Sequence, residues 1–187
     1  GLGVDTLSFR SDARPVRVDL NTGLVYRAGT GANTVNFTDN GTTASYNLTA
    51  AIGELVLDAA GLPIFQFTRD IERVEGGRGA DVLLGAASND VIYSGGGNDF
   101  IDGRAGTQDI GVFAGAASGY TVARTPTGIS VTHTIPATAT SLARTETAIL
   151  NNVEFVQFGD RRIAAADVQP GAAVSAASLT NRNPGPT

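Results

Sequence analysis

A nine-residue repeat built on Gly and Asp constrains the fold of this chain more than any other feature. Three copies occupy residues 76–84, 85–93 and 94–102, and a looser fourth copy follows at 103–109. The first copy matches the pattern G-G-x-G-x-D-x-U-x in full, where U is a large apolar residue. The acidic position and the apolar position two residues later recur in register at Asp81 and Leu83, Asp90 and Ile92, and Asp99 and Ile101. Three copies in register indicate a coil of stacked turns and short strands.

The spacing predicts what each part of the repeat does. Six Gly-rich residues form a turn, because Gly reaches positive φ without a Cβ clash. The next three residues are extended, so only the middle one points inward. Two repeats complete one coil, so residues 18 apart, such as Asp81 and Asp99, stack on one side. Carboxylates beside exposed carbonyls suit a hard cation such as Ca²⁺. The alternative is a Gly-rich surface loop with scattered Asp.

Composition excludes several classes of function. The net charge of −5 and the pI of about 4.7 argue against a nucleic-acid partner. No apolar run approaches the roughly 18 residues of a transmembrane segment. Without Lys there is no P-loop, and one His without Cys makes a zinc site improbable. His133 lies in a Thr-rich strand and is expected to fill a surface or sheet position. We expect no catalytic residues in this chain.

Alternating polar and apolar residues divide the rest of the chain into β segments. We expect an all-β fold: a parallel β-roll with a β-rich insertion and an antiparallel β cap. Asn40-Gly41, a strong turn signal, predicts a hairpin between 35 and 48. The expected division is a partial repeat, an insertion, the roll, the cap and a linker or disordered tail at 1–9, 10–75, 76–111, 112–168 and 169–187.

The repeat resembles that of the RTX (repeats-in-toxin) proteins, which bacteria export by type I secretion. Residues 76–102 carry the core of the resemblance, and Gly1–Phe9 is the same nonamer entered one residue late. The strand motif at 150–160 resembles one found after the last repeat of large RTX proteins. The resemblance implies a parallel β-roll that holds Ca²⁺ between stacked turns and a chain that folds outside the cell.

The resemblance also implies a set of metal ligands. In the family, each ion takes Asp carboxylates from the sixth repeat position and backbone carbonyls from neighbouring turns. Carried onto this sequence, these ligands are the carboxylates of Asp81 and Asp99 with carbonyl candidates at Gly77, Gly79, Gly95 and Gly97. Asp90 is expected on the opposite side of the roll.

The sequence departs from the repeat pattern in two places, the second copy and the fourth. The second copy has Ala86 and Ser88 where Gly is usual, and the fourth copy has one residue too many. Either Gln108 or Asp109 therefore holds the fourth ligand position. Asp5 falls on the Asp position of the first nonamer and is a further candidate, with its stacking partner expected in a part of the protein outside this sequence.

The expected function is Ca²⁺-dependent folding and stabilisation of a larger secreted or cell-surface bacterial protein. Met is absent, so we expect the sequence to be a piece of a longer chain. The partners are then calcium ions and the rest of the parent chain, with self-assembly at the cell surface as a further possibility. Three parents are open: a surface-layer protein or adhesin, a secreted enzyme such as a protease, lipase or haem peroxidase, and a pore-forming toxin.

Overall fold

The structure is a computed structural model that describes residues 6–21, 23–27, 32–39, 42–49, 54–55 and 71–183. These residues contain short β-strands and three single-turn 3₁₀ helices, at Ala117–Gly119, Ala165–Asp167 and Ala176–Ser178, and no α-helix. The described part thus confirms the predicted all-β class, and it contains no helix long and apolar enough to cross a membrane. The strands are β1 Thr6–Ser8, β2 Val16–Asp19, β3 Leu24–Arg27, β4 Ala32–Asp39, β5 Thr42–Thr49, β6 Glu54–Leu55, β7 Arg73–Glu75, β8 Val82–Leu84, β9 Val91–Tyr93, β10 Phe100–Asp102, β11 Ile110–Val112, β12 Tyr120–Arg124, β13 Gly128–Ile135, β14 Arg144–Asn151, β15 Phe155–Gln157, β16 Arg162–Ala164 and β17 Val174–Ser175.

Two sheets of parallel strands form the centre of the molecule. In the first sheet β1, β7, β9, β11 and β15 lie side by side in parallel, and in the second β2, β8, β10 and β14 do so. The chain passes from one sheet to the other at each six-residue turn of the repeat, and β8 pairs with β10, which follows 18 residues later. Two repeats therefore complete one coil, as the spacing predicts.

The core lies between the two sheets and is built from the middle residues of the strands. Leu83, Ile92 and Ile101 are fully buried, as the repeat predicts. In the first sheet, Leu7, Val74, Ile92, Gly111 and Val156 are in register, and in the second Val18, Leu83, Ile101 and Leu150 are. Burial of a large aliphatic side chain contributes roughly 1.5–3 kcal/mol, so these two rows of buried side chains are a main source of stability.

The parallel sheets begin before the Gly-Asp repeats. Strand β2, which lies within the segment 10–75 that we expected as an insertion, pairs in parallel with β8. Among the described residues that follow β2, strands β3 to β6 pair antiparallel and β7 returns to the parallel sheet. The predicted hairpin is confirmed by β4 and β5, which pair from Asp39 opposite Thr42. The apolar residues of Ile64-Phe65-Gln66-Phe67 predict one more strand, and this segment lies outside the described residues.

The segment after β11 both extends the coil and adds antiparallel strands. Strands β12, β13 and β14 are antiparallel to one another, while β14 also pairs in parallel with β10. Strand β15, expected as antiparallel, pairs in parallel with β11 on one side and antiparallel with β16 on the other. Leu150 and Val156 supply the buried apolar residues that Ile101 and Ile92 supply within the repeats.

The segment from residue 169, expected as a linker or disordered tail, is described as far as Asn183. It is packed against the rest of the domain. Strand β17 pairs with β12, and Ala176 is fully buried. The Arg161 guanidinium donates from Nη1 to the carbonyl oxygens of Ala177 and Leu179, at 2.7 and 2.8 Å. Sequence composition misleads here, because small residues dock through backbone groups and leave no apolar pattern to read.

Candidate functional site

The turns that join the two sheets stack in two columns on opposite sides of the coil. The first column consists of residues 9–15, 76–81 and 94–99, and the second of residues 85–90 and 103–109. Backbone hydrogen bonds join successive turns in each column, from Gly96 N to Gly77 O (2.9 Å) and from Ala105 N to Ala86 O (3.3 Å). Within the repeats, each column therefore brings together residues that are 18 or 19 positions apart.

In the first column the structure brings Asp81 and Asp99 together. Both are buried, and the Asp81 amide donates to Asp99 Oδ1 at 2.9 Å. The second Asp99 oxygen accepts from the Ser94 hydroxyl. The Asp81 carboxylate accepts from the Gly77 amide at 2.7 Å and from the Val16 amide at 2.9 Å. Each carboxylate thus links its own turn to the turn before it.

The second column repeats this arrangement with Asp90 and Asp109. The Asp90 amide donates to Asp109 Oδ1 at 2.7 Å, so Asp109 rather than Gln108 takes the acidic position of the fourth copy. Asp90 accepts from the Ala86 amide at 2.7 Å and from the Ser88 hydroxyl at 3.0 Å. Neither Ala86 nor Ser88 has a positive φ, so both departures from the repeat fit their turn without strain.

Glycines allow the backbone carbonyls of one turn to reach the next. Gly95 and Gly97 have φ of +86° and +104°, a region that L side chains rarely adopt. A Cβ on Gly95 would stand under 3.0 Å from the carbonyl oxygen of Gly77, and one on Gly97 under 3.0 Å from that of Gly79. The carbonyls of Gly77 and Gly79 in one turn therefore lie against Gly95 and Gly97 in the next turn of the first column.

The carboxylates of both columns are held where their charged forms are costly. Burial raises the pKa of Asp99 to about 7 and the pKa of Asp81 and of Asp109 to about 6, and it raises the pKa of Asp90 as well. Neighbouring carboxylates add to each shift, while the hydrogen bonds partly offset it. A cation between the turns would remove this cost by opposing the negative charge.

Asp109 also has a buried oxygen that no group in the described residues satisfies. Its Oδ2 has no hydrogen-bond partner, although Asp109 is only 1% exposed. In Asp81 and Asp90 the corresponding oxygen accepts from the amide four residues earlier. The extra residue in the fourth copy changes this geometry, because the Ala105 amide bonds to the Ala86 carbonyl instead.

The donor set fits calcium better than a transition metal. In the described residues, no three side chains of His, Cys, Asp or Glu converge to bind a metal. An ion between turns would therefore take two carboxylates and several backbone carbonyls, all of them oxygen ligands. Ca²⁺ accepts six to eight oxygens in flexible geometry, whereas zinc sites rely on His and Cys.

Two acidic residues in similar places were missed by the sequence analysis. Asp12 is buried in the first turn of the first column, and its carbonyl accepts from the Arg78 amide at 2.7 Å, as the Gly77 carbonyl does from Gly96. Glu154 accepts from the Asp109 amide at 2.9 Å. The only signal for Glu154 is the apolar Val156 two places later, and Asp12 lies in a turn without the glycine pattern. Asp5 lies outside the described residues.

Comparison with known families identifies the repeat. The family model of the RTX calcium-binding nonapeptide repeat matches residues 71–107 in four copies. No curated protein and no solved structure gives a significant match to the chain. The resemblance predicted from the sequence is confirmed for this segment, and repeats of this family bind Ca²⁺. Asp12, Asp109 and Glu154 lie outside the matched residues.

Proposed function

We propose that this chain is a calcium-loaded β-roll that gives Ca²⁺-dependent folding and stability to a larger secreted or cell-surface bacterial protein. The observation that carries the proposal is the pair of buried carboxylates in each column, Asp81 with Asp99 and Asp90 with Asp109. Both pairs lie between stacked turns; Asp81, Asp90 and Asp99 fall within the segment that matches a calcium-binding repeat, and Asp109 follows it by two residues.

The proposed ligands follow from the two columns. In the first column they are the carboxylates of Asp81 and Asp99, with the carbonyls of Gly77, Gly79, Gly95 and Gly97 as candidates. In the second column they are the carboxylates of Asp90 and Asp109. The orphaned Oδ2 of Asp109 supports this assignment, since a buried polar atom without a partner costs roughly 1–3 kcal/mol.

Ligand binding explains how such a domain would respond to its location. A ligand that binds only the folded state stabilises it by RT ln(1 + [L]/Kd). For a site with a Kd of about 0.1 mM, millimolar calcium gives roughly 1.4 kcal/mol, whereas submicromolar calcium gives almost nothing. With several such sites, the domain would gain almost no stability from calcium in the cytosol and would fold after export into millimolar calcium.

The proposed role is structural and not catalytic. His133 stacks on the ring of Tyr120 with 4.5 Å between ring centroids, an arrangement that supports a packing role. A module of this kind suits a surface-layer protein or adhesin, a secreted enzyme or a pore-forming toxin, and the proposal covers each of these parents.

Calcium binding by the purified, EDTA-stripped chain tests the proposal. We expect equilibrium dialysis to show saturable binding with a Kd of about 10⁻⁴ to 10⁻³ M. Asp81→Asn should weaken binding at least tenfold, because it removes one of the two carboxylates proposed as ligands in the first column. Asp167→Asn is the matched control, since Asp167 pairs with Arg182 at 2.9 Å away from the turns. Absence of bound calcium at tens of millimolar would contradict the proposal.

A further inference from the structure

The carboxylate ladder of the second column continues beyond the repeats. The Asp109 amide donates to Glu154 Oε2 at 2.9 Å, just as the Asp90 amide donates to Asp109 Oδ1 and the Asp81 amide to Asp99 Oδ1. In return, the amides of Glu154 and Phe155 donate to the Asp109 carbonyl at 3.2 and 3.0 Å. The Glu154 carboxylate therefore accepts from the Asp109 amide in the same way as the Asp109 carboxylate accepts from the Asp90 amide.

The fold places Glu154 in this position without any repeat in the sequence. Glu154 directly precedes β15, as Asp109 directly precedes β11, and the two strands pair in parallel. The short turn 152–154 stacks on the turn 103–109, where the Gly103 amide donates to the Asn151 carbonyl at 3.0 Å. The antiparallel strands β12 and β13 separate the two turns along the chain, so only the return of β14 to the parallel sheet brings them together.

Two residues that border this junction carry buried oxygens without hydrogen-bond partners in the described part of the chain. Asp109 Oδ2 is buried without a hydrogen-bond partner among the described residues, and so is Asn151 Oδ1. A Cβ on Gly103 would stand under 3.0 Å from both Asp109 Oδ2 and the Asn152 carbonyl oxygen. A carboxylate oxygen and a backbone carbonyl oxygen thus converge where the absence of a side chain at Gly103 leaves room.

We propose that Asp109 and Glu154 form a further Ca²⁺ site between turns 103–109 and 152–154, with the Asn152 carbonyl as a third ligand. The inference rests on the proposed function, because it extends the same carboxylate and carbonyl chemistry by one turn. Two carboxylates and a carbonyl make an all-oxygen site, which suits a hard divalent cation. An ion there fixes strands β14 and β15 to the coil, so that calcium stabilises the segment after the repeats as well as the repeats.

The variant Glu154→Gln tests whether Glu154 is a calcium ligand or only accepts a hydrogen bond from the Asp109 amide. The Gln amide oxygen still accepts from the Asp109 amide, but the negative charge is lost. We expect equilibrium dialysis, with calcium measured by atomic emission, to show one bound ion fewer than in the unsubstituted chain or at least tenfold weaker binding of one ion. Asp167→Asn, an acidic residue outside both columns, should leave the ion count and the affinities unchanged.

The outcomes separate this inference from the function on which it depends. If the unsubstituted chain binds no calcium, the proposed function itself fails. If it binds calcium and Glu154→Gln leaves the count and affinities unchanged, only the further site fails. Should Glu154→Gln not fold, Glu154→Asp decides, because the shorter side chain keeps the charge: the site predicts a full ion count with one affinity weakened about tenfold, and unchanged affinities would overturn it.

Discussion

Asp99→Asn is expected to have opposite effects with and without calcium. Burial, with smaller contributions from the nearby carboxylates of Asp81 and Glu146, raises the pKa of the Asp99 carboxyl to about 7. Without a cation, the Asn variant avoids this buried charge while its Oδ1 still accepts from the Asp81 amide. With calcium, the variant lacks one of the two charges that would hold the ion. We expect a change in folding free energy on the order of 2 kcal/mol in each direction.

Far-UV circular dichroism measures both effects. An osmolyte such as TMAO is added to the EDTA samples so that a measurable fraction of the metal-free chain folds. The folded fraction in EDTA should be larger for Asp99→Asn than for the unsubstituted chain, whereas the calcium concentration at the folding midpoint should rise several-fold. Asp167→Asn should change neither quantity. A variant that is less stable in both conditions would show that the Asp99 carboxylate is a structural acceptor and not a calcium ligand.

Gly97→Ala is expected to destabilise the calcium-loaded chain by about 3 kcal/mol or more. The φ of Gly97 is +104°, and an added Cβ would stand under 3.0 Å from the Gly79 carbonyl oxygen. A strained backbone conformation alone costs on the order of 1–3 kcal/mol. The clash adds to this cost by pushing apart two successive turns of the first column, including a carbonyl that is a candidate ligand.

Two other glycines make matched controls for Gly97. At Gly96 an added Cβ meets only Glu146 Oε2, at 3.7 Å, so Gly96→Ala should change the free energy of unfolding by about 0.5 kcal/mol or less. Gly115 has φ of +85° but nothing within 4 Å, so Gly115→Ala isolates the strain without the clash. Urea unfolding in millimolar calcium should rank Gly97→Ala as the most harmful and Gly96→Ala as the least. Equal effects of Gly96→Ala and Gly97→Ala would contradict the stacking of the turns.

The repeats themselves could be predicted in detail because their information is local. A period of nine residues fixes both the inward position and the 18-residue stacking, so Leu83, Ile101 and the pair Asp81 and Asp99 follow from the spacing alone. The spacing could not decide whether Gln108 or Asp109 holds the acidic position of the fourth copy. An inserted residue has no preferred place in a periodic pattern, and only the hydrogen bond from the Asp90 amide decides it.

Strands that join the coil from outside the repeats could not be predicted in the same way. Strands β2 and β14 reach the parallel sheet through pairing with strands that are distant in sequence. Their alternating apolar residues indicate a strand but do not indicate its partner. Glu154 was missed for this reason, because its position next to Asp109 results from the topology and not from a period. The segment after residue 169 docks through backbone contacts that composition does not reveal.

Calcium-dependent folding is the central claim, and far-UV circular dichroism of the EDTA-stripped chain tests it most directly. The chain is titrated with Ca²⁺, and in parallel with Mg²⁺ as a control for ionic effects. The account predicts a largely unfolded spectrum in EDTA and a cooperative change to a β spectrum near millimolar calcium, with little effect of Mg²⁺, which prefers a rigid octahedral site. The same β spectrum in EDTA and in calcium would contradict the claim and would make the repeats a metal-independent scaffold.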